Sequence, residues 1–116
     1  MILFAESPVA PQGTVGVGTV HHIALAVQDE KEQLEWREHL FLTRGVHTTP
    51  VMDRKYFKSI YFREPNGILL ELATLPPGFG VDESVEDLGK SLTLPSWLES
   101  RRGEVEASLK PVSLAA

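Results

Sequence analysis

Apolar and polar positions along this chain follow two different periods, and the places where one gives way to the other are marked by capping and turn residues. From about residue 20 to 27, VHHIALAV is a short apolar run of strand length. Asp29 follows as an N-cap, with Glu32 three residues on as in a capping box. A helix is predicted from there to about residue 43, with Leu34, Trp36, Leu40 and Phe41 broadly toward one side and Gly45 as its stop. Three further stretches, at about 46–52, 57–63 and 67–74, read as strands, the last two joined by the turn residues Pro65, Asn66 and Gly67. The predicted order is strand, helix, strand, strand, strand: one α+β module of βαβββ type at residues 19–75.

The flanks have another character. Residues 1–18 read as an extended, linker-like segment, rich in Pro, Gly, Ser and Thr from residue 5 onward. Gly13, Gly16 and Gly18 do not make a phosphate loop, because a strand rather than a helix follows them. Residues 76–116 read as a loop and helical tail. In it PPGFG is a loop, DESVEDLGKSL holds one or two helical turns, and a second helix starting near Pro95 carries Trp97, Leu98, Val105 and Leu109. No repeat of the βαβββ unit is visible in the 116 residues.

Composition narrows the function classes. A chain of 116 residues with 42 % apolar and 23 % charged residues suits one globular domain. The net charge of -5 and the scattered basic residues argue against a nucleic-acid partner. With no cysteine there is no disulfide, no thiolate nucleophile and no sulfur-ligated metal site, so a metal would have to sit on histidine, carboxylate and water. The N-terminus lacks the basic flank and apolar core of a signal peptide, and no apolar run approaches the roughly 20 residues of a membrane span, so the expected location is the cytoplasm.

The two-residue period of a strand then sorts the candidate chemistry. On the first strand His22, Ala24 and Ala26 share one face, while His21, Ile23, Leu25 and Val27 share the other, bulkier face expected to meet the helix. On the last strand Ile68, Leu70 and Leu72 form one face and Leu69, Glu71 and Ala73 the other. A carboxylate in the middle of an aliphatic strand is expensive to bury unless it is paired or bound to a cation. Two readings therefore stand for Glu71. Either it lies on a solvated face or is salt-bridged, with Arg63 or Lys58 as partner, or it joins His22 as a ligand of a divalent metal, with small alanines leaving room beside them. His21 is read as structural.

These stretches, VHHIALAV, DEKEQLEWRE, DRKYFKSIYFREPNGILLELAT and LPSWLESRR, resemble the vicinal oxygen chelate superfamily of glyoxalases, bleomycin and fosfomycin resistance proteins and extradiol dioxygenases. Within it they are most similar to the C-terminal half of bacterial hydroquinone-type ring-cleaving dioxygenases, from about residue 4 to 110, and LFAESPVAPQGTVGVG resembles the segment joining the halves of such enzymes. The resemblance implies a metal held by two histidines and one glutamate, with His22 and Glu71 as two of these ligands and Tyr61, ten residues before the glutamate, as a catalytic residue hydrogen-bonded to a substrate hydroxyl. It implies Fe(II) first among divalent ions, with Mn(II), Zn(II) or Ni(II) as alternatives, and a hydroquinone- or catechol-like aromatic substrate. The third ligand would come from a preceding βαβββ half that these residues do not contain. The acid–base histidine is missing too, its region offering Asp53, Arg54 and Tyr56. A homodimer, or pairing with a separate N-terminal half, would complete the site. The alternatives are a non-catalytic dimeric small-molecule-binding protein of the same fold, or an inactive half-length remnant in which His22 and Glu71 merely pair.

Overall fold

A computed structural model describes residues 14–110, so that most of the linker-like segment, Gly13 included, lies outside the described residues. The chain divides into two compact units, one ending at Gly78 and the other beginning at Phe79. The first is built from β1 (Ile23–Val27), α1 (Glu30–Arg44), β2 (Met52–Asp53), β3 (Lys58–Arg63) and β4 (Leu69–Thr74). Its four strands form one sheet in the order β1-β4-β3-β2, with β1 parallel to β4 and the other pairs antiparallel. The last strand thus lies between the first and the third, which puts Glu71 in the middle of the sheet.

Local chemistry explains the element ends. Asp29 accepts from the Glu32 backbone N–H while the Glu32 carboxylate accepts from the Gln28 N–H, a reciprocal cap shifted by one residue from the usual box. At the other end Gly45 sits at φ 64° and its N–H donates to the Phe41 carbonyl, with the Val46 N–H donating to Leu40. An L side chain is strained there, so Gly45→Ala is expected to lower stability by about 1 kcal/mol, read as a lower midpoint in thermal unfolding. The β3–β4 turn is held by Glu64, whose carboxylate takes the N–H of Ile68 and the amide of Asn66. The Ile68 N–H, ahead of the contacts from Asn66, holds that carboxyl below the usual glutamate range.

Three expectations are corrected. The strand predicted at 46–52 shrinks to Met52–Asp53, because Pro50 has no N–H to give; before it, only Thr49 reaches β3, exchanging backbone and side-chain bonds with Tyr61. On α1, the apolar residues placed broadly toward one side do not act together: Leu34, Trp36 and Phe41 are about half exposed. The sheet side of the helix instead carries the wholly buried Gln33 and, seven residues on, Leu40, which packs on the core of Val27, Ile60 and Leu72. Finally, the first strand begins at Ile23, whose partner on β4 is Leu70, so both histidines precede the regular ladder.

The second unit has single turns at Phe79–Val81 and Val85–Asp87, then a 3-10 segment Ser96–Arg101 running into α2 (Arg102–Ser108). The helical stretch from Pro95 is therefore present, with 3-10 winding in its first half. Arg102 ties it together: its guanidinium donates to Glu99, Glu106 and the Leu92 carbonyl. Those two carboxylates, Glu99 foremost, hold the guanidinium still more firmly protonated than usual. No helix among the described residues is long and apolar enough to cross a membrane.

Candidate functional site

On the sheet face opposite α1, the register brings three predicted residues together. Tyr61 on β3 stands directly across from Glu71 on β4, and Ala24 on β1 stands across from Glu71 on the other side. Same-face neighbours one step along each strand are then Ser59 and His22. The small Ala24 side chain leaves the space over which His22 reaches back to the carboxylate.

Every oxygen of that carboxylate is engaged, although Glu71 is only 3 % exposed. Oε1 accepts from the Ser59 hydroxyl and, at 2.9 Å, from the Tyr61 hydroxyl. Oε2 faces His22 Nε2 at 2.8 Å. The two oxygens thus have separate duties: hydroxyls orient one, and an imidazole nitrogen meets the other. The expected salt bridge to Arg63 or Lys58 does not form, since Lys58 pairs with Glu30 and Arg63 donates to the Gly67 carbonyl.

His21 also departs from expectation. Its Nδ1 lies 2.9 Å from Nδ1 of His22, with the two rings edge to face, instead of pointing to the helix side. Alternation of faces holds only inside the paired strand, and both residues stand before it. The Arg54 guanidinium lies 5.8 Å from the Tyr61 ring centre, over the ring, and His22 approaches the same ring edge-on. A groove of about 410 Å³, lined by Val20, His21, His22, Ile68 and Leu69 among others, opens beside the histidine pair.

As metal donors, a histidine nitrogen and a carboxylate oxygen facing each other are of the right type for a first-row divalent ion. They are two donors, and among the described residues no group of three histidine, cysteine or acidic side chains could hold a metal ion. The donor pair fits part of a metal site rather than a whole one.

Sequence reasoning missed Ser59 as a participant. Its signal was available, since it shares the parity of Tyr61 two residues earlier, but a serine in a strand has no chemical mark of its own.

A mixed four-stranded sheet with one helix on one face and, on the other, the buried Glu71 and Ser59 beside the partly exposed His22 and Tyr61 defines a small α+β module. Comparison with known proteins agrees. No protein-family model matches the chain. It is 50 % identical over 103 residues to MhqA of Bacillus subtilis, which bears the provisional name of ring-cleaving dioxygenase, covering 88 % of this chain and 32 % of MhqA. It is 39 % identical over 94 residues to the chlorohydroquinone/hydroquinone 1,2-dioxygenase of Sphingobium indicum, covering 78 % of this chain and 28 % of that enzyme. A crystal structure of a provisionally named Bacillus subtilis dioxygenase superposes with a TM-score of 0.78 at 45 % identity, over 90 % of this chain and 34 % of that one. The chain therefore spans about a third of the length of the curated relatives it matches.

Proposed function

We propose that this chain is a metal-binding module of vicinal oxygen chelate type in an extradiol ring-cleaving dioxygenase acting on hydroquinone- or catechol-like aromatics. The observation that carries the reading is the buried Glu71 carboxylate, whose Oε2 is presented to His22 Nε2 while its other oxygen is fixed by two hydroxyls. In this reading His22 and Glu71 are two of the ligands of an Fe(II), Mn(II), Zn(II) or Ni(II) ion, Fe(II) foremost. When bound, such an ion supplies Lewis-acid chelation of adjacent substrate oxygens and a place for dioxygen.

The chain's own residues do the rest. Ser59 and Tyr61 hold the carboxylate against rotation, which keeps a single oxygen turned to the ion's position. Because the Tyr61 hydroxyl spends its proton on Glu71, its oxygen is left to accept a hydrogen bond from a substrate hydroxyl. Completion of the ligand set needs a second βαβββ module, supplied by another copy of this chain about a two-fold axis or by a separate polypeptide.

Metal analysis tests this reading. Plasma mass spectrometry on protein purified without chelator, together with its native mass, is expected to give about one transition ion per pair of modules. His22→Ala is expected to lower metal occupancy at least tenfold while the protein stays folded, with about 1–3 kcal/mol of stability lost because the buried Glu71 oxygen is left without its partner. A His22→Ala protein with the full wild-type metal content would remove His22 from the ligand set.

One feature of the site favours a second reading, a non-catalytic small-molecule-binding or inactive module: His22 Nε2 and Glu71 Oε2 meet each other directly at 2.8 Å. Wild-type protein that stays metal-free after incubation with Fe(II), Mn(II) and Zn(II) would establish it over the first.

A further inference from the structure

The most unusual residue outside the site is Gln33, an amide with no exposed surface on the sheet side of α1. Its Nε2 donates to two backbone carbonyls on adjacent strands, Lys58 O on β3 at 2.9 Å and Leu72 O on β4 at 2.8 Å. Among the described residues no donor reaches its Oε1. The amide cannot turn over to relieve this, because Oε1 would then face two carbonyl oxygens. A buried carbonyl without a donor is costly, and a methionine or leucine of similar volume would not incur that cost. A purely packing role would therefore be better served by an apolar residue.

The two carbonyls are not arbitrary ones. Lys58 immediately precedes Ser59, and Leu72 immediately follows Glu71. Ser59 and Ala73, the residues just beyond these carbonyls, are partners across the β3–β4 ladder. Gln33 thus bridges the strands from the helix side at the rung from which Ser59 reaches across to Glu71 on the opposite face. The next position along is also held by a side chain, the Lys58 N–H donating to Thr74 Oγ1 rather than to a backbone carbonyl. At this end of the sheet, side chains set the spacing of the strands.

We propose that Gln33 is a positioning residue for Glu71: its amide fixes the β3–β4 separation across which Ser59 orients the carboxylate. The proposal rests on the reading of Glu71 as the functional carboxylate, but its test does not depend on a metal. In NMR spectra of the wild-type chain, the Gln33 side-chain amide protons are expected to exchange slowly with solvent, and the Ser59 hydroxyl proton to be observable. Gln33→Met is expected to keep the thermal midpoint within a few degrees, yet to shift the Glu71 carboxyl ¹³C resonance, to lose the Ser59 hydroxyl signal and to weaken Co(II) binding about tenfold. A folded Gln33→Met protein with the wild-type Glu71 and Ser59 signals overturns the proposal. So do wild-type Gln33 amide protons that exchange as fast as those of a solvent-exposed glutamine, a measurement that needs no variant to fold. Wild-type protein that binds no Co(II) counts against the metal reading alone, and the carboxyl and hydroxyl signals then decide the role of Gln33.

Discussion

Glu71→Gln is expected to abolish metal binding, with occupancy below about a tenth of wild type, while the protein stays folded. The amide has the volume of the carboxylate, and its carbonyl oxygen can still accept from Ser59 and Tyr61 in the place of Oε1. Its NH₂ group then meets His22 Nε2, which becomes an acceptor once the imidazole carries its proton on Nδ1, toward His21. What is lost is the anionic oxygen that a divalent ion needs. Glu71→Ala is a harsher change, because the wholly buried Ser59 hydroxyl loses its acceptor along with Tyr61, at about 1–3 kcal/mol for each buried donor stranded. Metal content by mass spectrometry and the urea midpoint, measured on both variants, separate the two effects. Stoichiometric metal in Glu71→Gln would take Glu71 out of the ligand set.

Ile60→Ala is expected to cost about 2–5 kcal/mol of unfolding free energy, a large share of what a domain of this size possesses. Ile60 has no exposed surface and sits in the core with Val27 and Leu72, under Leu40 and Phe62. Few large side chains are fully buried in this unit, so a cavity at Ile60 has little around it able to collapse and fill the space. Leu42→Ala makes the matched control: that leucine is 70 % exposed, and its loss is expected to change stability by no more than about 0.5 kcal/mol. Chemical denaturation of both variants checks the contrast, and an Ile60→Ala cost as small as that of Leu42→Ala would mean that the core lies elsewhere.

Much of the site was legible before any coordinates. Alternation along a strand placed Glu71 with Ala73, and Tyr61 with Ser59. Tyr61 and Glu71, ten residues apart around the five-residue turn 64–68, are direct partners across the β3–β4 ladder and so share a face. Parity works because a pleated strand leaves a side chain only two directions. It failed at His21, where the chain has not yet entered the sheet, and it had nothing to say about which cation or hydroxyl would meet the carboxylate. Lys58 and Arg63 were reasonable candidates by charge, and geometry gave both of them other partners. The apolar residues of α1 misled for a similar reason. Leu34, Trp36 and Phe41 advertise a buried face by composition, but the face a helix buries depends on how it is rotated over the sheet, and here the rotation points Gln33 inward.

Residue order alone was enough to set the capped start of α1 at Asp29, its stop at Gly45, the turn residues between β3 and β4, and the parity that puts Tyr61 with Ser59 on one strand and Glu71 with Ala73 on the next. These follow from short-range rules, in which backbone dihedrals, capping bonds and the two-residue period act within a few positions of one another. The pairing partners followed from the tertiary structure. It placed β4 between β1 and β3, joined Ser59 to the Glu71 carboxylate, laid His21 against His22 and drove a glutamine amide between two strands. Each of those contacts spans strands or elements, or depends on exactly where pairing begins, and hydrogen-bond geometry at that range is decided by the packed chain rather than by the identity of any one residue.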